Sequence, residues 1–196
     1  MKLLLRLSGL IDALSNHVGR LSYWLILVAV LVSAGNATMR YTFNVSSNAW
    51  LEIQWYLFSA VFLFCAGYTL LHHQHVRIDV ISCHLSKRAR AWIEVLGTLF
   101  FLLPMAIAIM WMSWPVFVQS WDLNEVSTNA GGLTVWPARL MVPIGFFLLI
   151  LQGISELIKR VAFLLGLIPD PTDKDEGPTL EEQLAEALRK ERGEPT

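Results

Sequence analysis

The chain has 196 residues, 55% of them hydrophobic and only 16% charged, with a mean hydropathy of +0.50 and a formal net charge of −1. Soluble domains carry roughly 25% charged residues, so this balance disfavours an ordinary soluble enzyme and points to an integral membrane protein. The two cysteines, Cys65 inside an apolar run and Cys83 in the loop after it, exclude a secreted disulfide framework and read as unpaired thiols.

Residues 1–20 place Leu3, Leu4, Leu7, Leu10, Ile11, Leu14 and Val18 at helical spacing, with Lys2, Arg6, Asp12, Asn16 and Arg20 mostly elsewhere. This predicts an amphipathic helix lying at the membrane interface. A cleaved signal peptide is the rival, but Asp12 interrupts the apolar run.

Residues 21–168 are expected to form a four-helix membrane domain. The first crossing spans about 21–39, without a formal charge, between Tyr23-Trp24 and Tyr41 as interface anchors. The short polar link Arg40–Asn48 makes the next helix antiparallel. The second crossing, 50–71, starts with Glu52 and continues through an uncharged run from Ile53 to Leu71, roughly 28 Å of helix and close to a bilayer core. It breaks into His72-His73-Gln74-His75-Val76-Arg77-Ile78-Asp79.

The third crossing, 92–121, contains Pro104 and Pro115, where kinks are expected. A loop from Asp122 to Trp136 follows, with Asn129, Gly131 and Gly132 suited to a tight turn. Pro137 opens the fourth crossing, 137–158. Residues 169–196 form an acidic tail, in which a capping box at Thr179 and leucines 180, 184 and 188 predict a short helix.

Basic residues divide by side. Thirteen lie in the N-terminal arm, the middle loop and the C-terminal end, against two, Arg40 and Arg139, in the other loops. The positive-inside rule puts both termini and the His-rich loop in the cytoplasm.

Few residues carry chemistry. His72, His73, His75 and His84 with Cys83 offer no second spaced pair to complete a tetrahedral metal set. Nor do they supply histidines at matched depth in different helices for a haem. A basic loop touching headgroups fits better. Glu94 has Arg90 four residues before it, and Glu156 has Lys159 and Arg160 just after, so both read as local helix pairs. Glu52 has no cation at three or four residues on either side.

At a membrane boundary a lone carboxylate needs solvent or a partner. It is either a helix N-terminal acid favoured by the dipole or one half of a polar contact, with Arg139 or with another subunit. No crossing has an ionisable residue near its midpoint, and no inverted repeat is visible. No nucleophile–base pair, phosphate loop or nucleic-acid surface is present. Bulky aromatics are many and small-residue seams few, so the helix faces suit a large partner.

Several motifs occur in order across roughly residues 10–160: Glu52 with Trp55 and Tyr56, Ala66-Gly67-Tyr68, His75-Val76-Arg77-Ile78-Asp79, Gly131-Gly132-Leu133 with Trp136-Pro137, and Gly153-Ile154-Ser155-Glu156. This set resembles the small membrane subunit of tripartite ATP-independent periplasmic (TRAP) transporters. The resemblance implies an all-α, four-crossing protein of the bacterial inner membrane that scaffolds a large, sodium-coupled membrane subunit. That subunit would take up an organic-acid-type solute delivered by a periplasmic binding protein.

The resemblance assigns this chain neither catalysis nor a cofactor or metal. Its partners would be the large subunit, the binding protein and membrane lipids. Glu52, Trp55, Tyr56, His75, Arg77, Asp79 and Arg139 are the candidate interaction residues. Two other classes stay open: a haem-binding redox subunit using the histidines, and a free-standing small channel or transporter.

Overall fold

A computed structural model describes residues 1–45, 47–72 and 86–169. Four helices account for most of them: α1 (Lys2–Phe43), α2 (Asn48–Leu71), α3 (Lys87–Asp122) and α4 (Trp136–Leu164). All four are long and apolar enough to cross a membrane, so the architecture is that of an all-α membrane protein. The tail helix expected near residue 180 lies outside the described residues.

In α1 the residues expected as an interfacial helix and those expected as the first crossing run on as one helix of 42 residues. At 1.5 Å per residue it is roughly 63 Å long, about twice a bilayer core. No proline interrupts it. It stops at Asn44, which takes the left-handed conformation (φ 53°) that ends many helices. The Ser47 side chain then caps α2, accepting the Ala49 N–H at 3.3 Å.

The kink expected at Pro104 takes a specific form. Residues Thr98–Leu102 make a π turn, in which the Leu103 N–H bonds to the Thr98 carbonyl. Pro104 lacks an N–H, and its ring would press on the Phe100 carbonyl in a regular α-helix. The wider turn just before it relieves that clash. Pro137 sits in the first turn of α4, where its missing donor costs nothing.

α4 is the hub, packing against α1, α2 and α3, while α1 and α2 also pack on each other. The seams are made of small residues, contrary to the expectation of few. On α1 the buried face is Ser8, Ile11, Ser15, Gly19, Ser22 and Ala29. Gly145 of α4 lies so close to α2 that an added Cβ would sit 2.7 Å from the Leu63 side chain and 3.0 Å from its carbonyl oxygen. The Tyr68 ring covers Gly19 in the same manner.

Large side chains point outward: Phe62, Phe101 and Trp111 are 80%, 78% and 77% exposed. In lipid an apolar side chain gains nothing by moving inward, so close backbone approach and hydrogen bonds decide the packing instead. Leu3, Leu4, Leu7, Leu10 and Leu14 follow that rule and are exposed on α1.

Candidate functional site

Polar side chains gather at the two ends of the bundle. The first cluster is built on Glu52, one turn into α2 and 8% exposed. Its Oε2 accepts the backbone N–H of Leu133 at 2.6 Å. Its Oε1 accepts the Asn129 Nδ2 at 2.9 Å and the Ser127 hydroxyl. These donors belong to the α3–α4 connection, which folds into a narrow hairpin. In it the Ser127 N–H bonds the Leu133 carbonyl and the Val135 N–H bonds the Glu125 carbonyl, both at 2.9 Å.

Two glycines make the tip possible. Gly131 has φ +71°, and a Cβ on Gly132 would lie 2.6 Å from that of Ser127. The result is a ring of donors shaped around one carboxylate. Tyr56, one turn along α2, donates its hydroxyl to the Thr134 carbonyl at 3.0 Å. Asn48 donates to the Ala130 carbonyl at 3.2 Å. At the hairpin's base, Trp121 and Trp136 meet edge to face with ring centres 4.7 Å apart.

Arg139 is not the partner of Glu52. It forms a two-pronged pair with Glu125, at 2.5 and 2.7 Å. The hairpin turns Glu125 back over the first turn of α4. Trp55 stands beside Glu52 but is 71% exposed, on the outer face of α2. His75, Arg77 and Asp79 lie outside the described residues. His72, at the edge of that loop, bonds the Asn16 side chain through Nε2 at 2.8 Å. Among the described residues no group of three His, Cys, Asp or Glu side chains is placed to hold a metal.

The second cluster joins α1 to α4 at the opposite end; sequence reading found its local Glu156–Lys159 pair but not the link to α1. Lys159 reaches both Asp12, at 3.2 Å, and Glu156, at 2.5 Å. Asp12 also accepts the Ser155 hydroxyl at 2.7 Å and the Gln152 amide at 3.0 Å. The Gln152 carbonyl oxygen takes the Ser15 hydroxyl at 2.7 Å, and Ser8 meets Ser155 at 2.7 Å. Glu94 of α3 binds Arg160 of α4 at 2.6 Å, a link between helices that its spacing to Arg90 did not suggest. The signal lay in the repeat of Ser8, Asp12, Ser15 and Gly19 down one face of α1. It was overlooked because the leucines share the same period.

Both clusters join parts of this chain to each other. The bonds they make are those of structural clasps.

A family model described as "Tripartite ATP-independent periplasmic transporters, DctQ component" matches residues 28–163. No curated protein and no solved structure matches the chain.

Proposed function

The chain belongs to the DctQ component family of the tripartite ATP-independent periplasmic transporters and is a small membrane subunit of that class; from this we propose that it is the static scaffold of a larger transport complex. The family match carries the reading. The build of the protein agrees with it. Its polar groups are largely spent on internal clasps, while its widest surfaces are bulky and apolar. Such surfaces suit lipid or a second membrane protein.

In this reading a large membrane subunit moves an organic-acid-type solute with sodium, and a periplasmic binding protein delivers that solute. The chain sits in the inner membrane with both termini in the cytoplasm, as its basic residues favour. The hairpin held by Glu52 then faces the compartment of the binding protein.

Reconstitution tests this. The large subunit, this chain, or both are placed in liposomes with a sodium gradient and solute-loaded binding protein outside. Uptake is expected only with both. Uptake by this chain alone, or full uptake by the large subunit without it, contradicts the proposal.

A further inference from the structure

The first turns of α1 carry a row of exposed leucines, Leu3, Leu7, Leu10 and Leu14, of which Leu3 is 78% and Leu10 69% exposed. Ser8 and Ser15 of the same turns bond to α4 instead. A helix about twice as long as a bilayer core cannot keep every turn in lipid. With the uncharged stretch 21–39 in the core, Leu3 to Leu10 lie roughly 17–27 Å beyond it, past the headgroup layer. No acyl chains reach the leucines there, and an apolar row in water marks a contact with protein.

Three features of the chain point to one occupant. The first is position. α4 ends at the same end of the bundle at which α1 starts, since Ser155 meets Ser8 and Lys159 reaches Asp12. α4 closes at Leu164 with a reversing turn: Gly166 takes φ +72°, and the Leu167 N–H bonds the Ala162 carbonyl at 3.0 Å. Residues 170–196 follow from there, outside the described residues, and residues 170–179 can extend about 33 Å.

The second feature is pattern. Leu180, Leu184 and Leu188 form an apolar row on the expected helix 180–192, which is about 20 Å long, the same length as residues 2–14 of α1. The third is charge. Lys2 and Arg6, beside the leucines, are exposed and take part in no ion pair among the described residues. The start of the expected helix holds Glu181, Glu182 and Glu186. The stretch 73–85, between α2 and α3, has Arg77 against Asp79 and no acidic excess to offer.

We propose that residues 180–192 form a helix that lies parallel to α1 and covers the row from Leu3 to Leu14, as a strap within one chain. Parallel alignment sets Leu180 at Leu3 and Leu184 at Leu7. It brings the three glutamates to Lys2 and Arg6 and carries Arg189, Lys190 and Arg192 toward the headgroups. Antiparallel alignment would set those three cations against Lys2 and Arg6. Exposed charges fix the alignment more than the strength. Burial of the leucines holds the strap down, helped by a tether that keeps its local concentration around millimolar.

Cysteine pairs in native membranes test this, in a chain that also carries Cys65→Ser and Cys83→Ser. On mild oxidation, Leu3→Cys with Leu180→Cys, and Leu7→Cys with Leu184→Cys, should each form a disulfide within one chain. Both should form about tenfold faster than Leu3→Cys with Leu188→Cys, whose positions the parallel alignment holds apart. Glu181→Lys, Glu182→Lys and Glu186→Lys together should slow both about tenfold, the combined effect of several exposed pairs.

No disulfide in either pair overturns the proposal and leaves the row to lipid or to a larger subunit. A disulfide joining two chains overturns it in favour of a second copy. A faster reaction at Leu188→Cys, or charge reversal that changes nothing, overturns it as well. Should the cysteine variants fail to insert, a glutamate-specific protease on the purified native chain decides. Cleavage after Glu176 with none after Glu181, Glu182 or Glu186 is expected, and any other pattern overturns the proposal.

Discussion

Glu52 and Leu133 are 81 residues apart in the chain, yet the Glu52 carboxylate accepts the Leu133 backbone N–H at 2.6 Å. This bond and its companions from Ser127 and Asn129 tie the start of α2 to the α3–α4 hairpin. A charged acceptor makes each of them stronger than a bond between neutral groups. A single acid therefore holds a loop whose three donors to it are all neutral.

Glu52→Gln replaces one acceptor oxygen by an NH₂ group that faces donors. The hairpin loses at least one bond and gains a donor–donor clash. The melting temperature of the isolated subunit should fall by about 5 °C, and protease cleavage between residues 127 and 133 should speed up. An unchanged melting temperature would show that the clasp carries no stability.

Arg139→Gln should act independently of Glu52→Gln. Arg139 bonds Glu125, and the two side chains are 30% and 37% exposed. Separate networks give additive effects. A double-mutant cycle between Arg139 and Glu125 should yield a coupling below about 1 kcal/mol, as for other part-exposed pairs. Strong coupling between Glu52 and Arg139 in thermal unfolding would contradict the geometry.

Lys159 is the cation between Asp12 and Glu156. Lys159→Met leaves two neighbouring carboxylates without it and should cost about 3–5 kcal/mol. Asp12→Asn keeps an acceptor for the Ser155 hydroxyl and should cost only about 1–2 kcal/mol. Denaturant titration of the purified chain measures both. A milder effect for Lys159→Met than for Asp12→Asn would show that the clasp is wrongly drawn.

Two glycines predict opposite signs. Gly145→Ala forces α2 and α4 apart at Leu63 and should destabilise by about 1–3 kcal/mol. Gly35, in the last third of α1, has nothing within 4 Å of a built Cβ. Gly35→Ala should stabilise by about 0.5–1 kcal/mol through helix propensity. Circular dichroism melts of the two variants check the pair.

The four crossings were legible in the sequence because long uncharged runs report span and position directly. The inner faces were not. The stripe Leu3-Leu7-Leu10-Leu14 and the stripe Ser8-Ile11-Ser15-Gly19 both have helical spacing. The habit of soluble proteins picks the leucines as the packed side, yet in lipid the small and polar residues hold the seam. The continuity of α1 was not legible either, since the leucines mark a face of the helix and say nothing of where it ends. Glu52 stood out because it lacked a local cation. Its actual partners were invisible to a search for charges, being a backbone N–H and two neutral side chains. The donors lay in Ser127-Thr128-Asn129-Ala130-Gly131-Gly132-Leu133, where small residues and a positive φ leave backbone N–H groups open.

The scaffold reading is tested most directly by the composition of the complex that this chain forms in its own membrane. The tagged chain is extracted in mild detergent, and the mass and subunits of the purified particle are determined. The account predicts a stable particle containing this chain and a larger multi-span membrane subunit. A particle containing only this chain, as monomer or homo-oligomer, would contradict it.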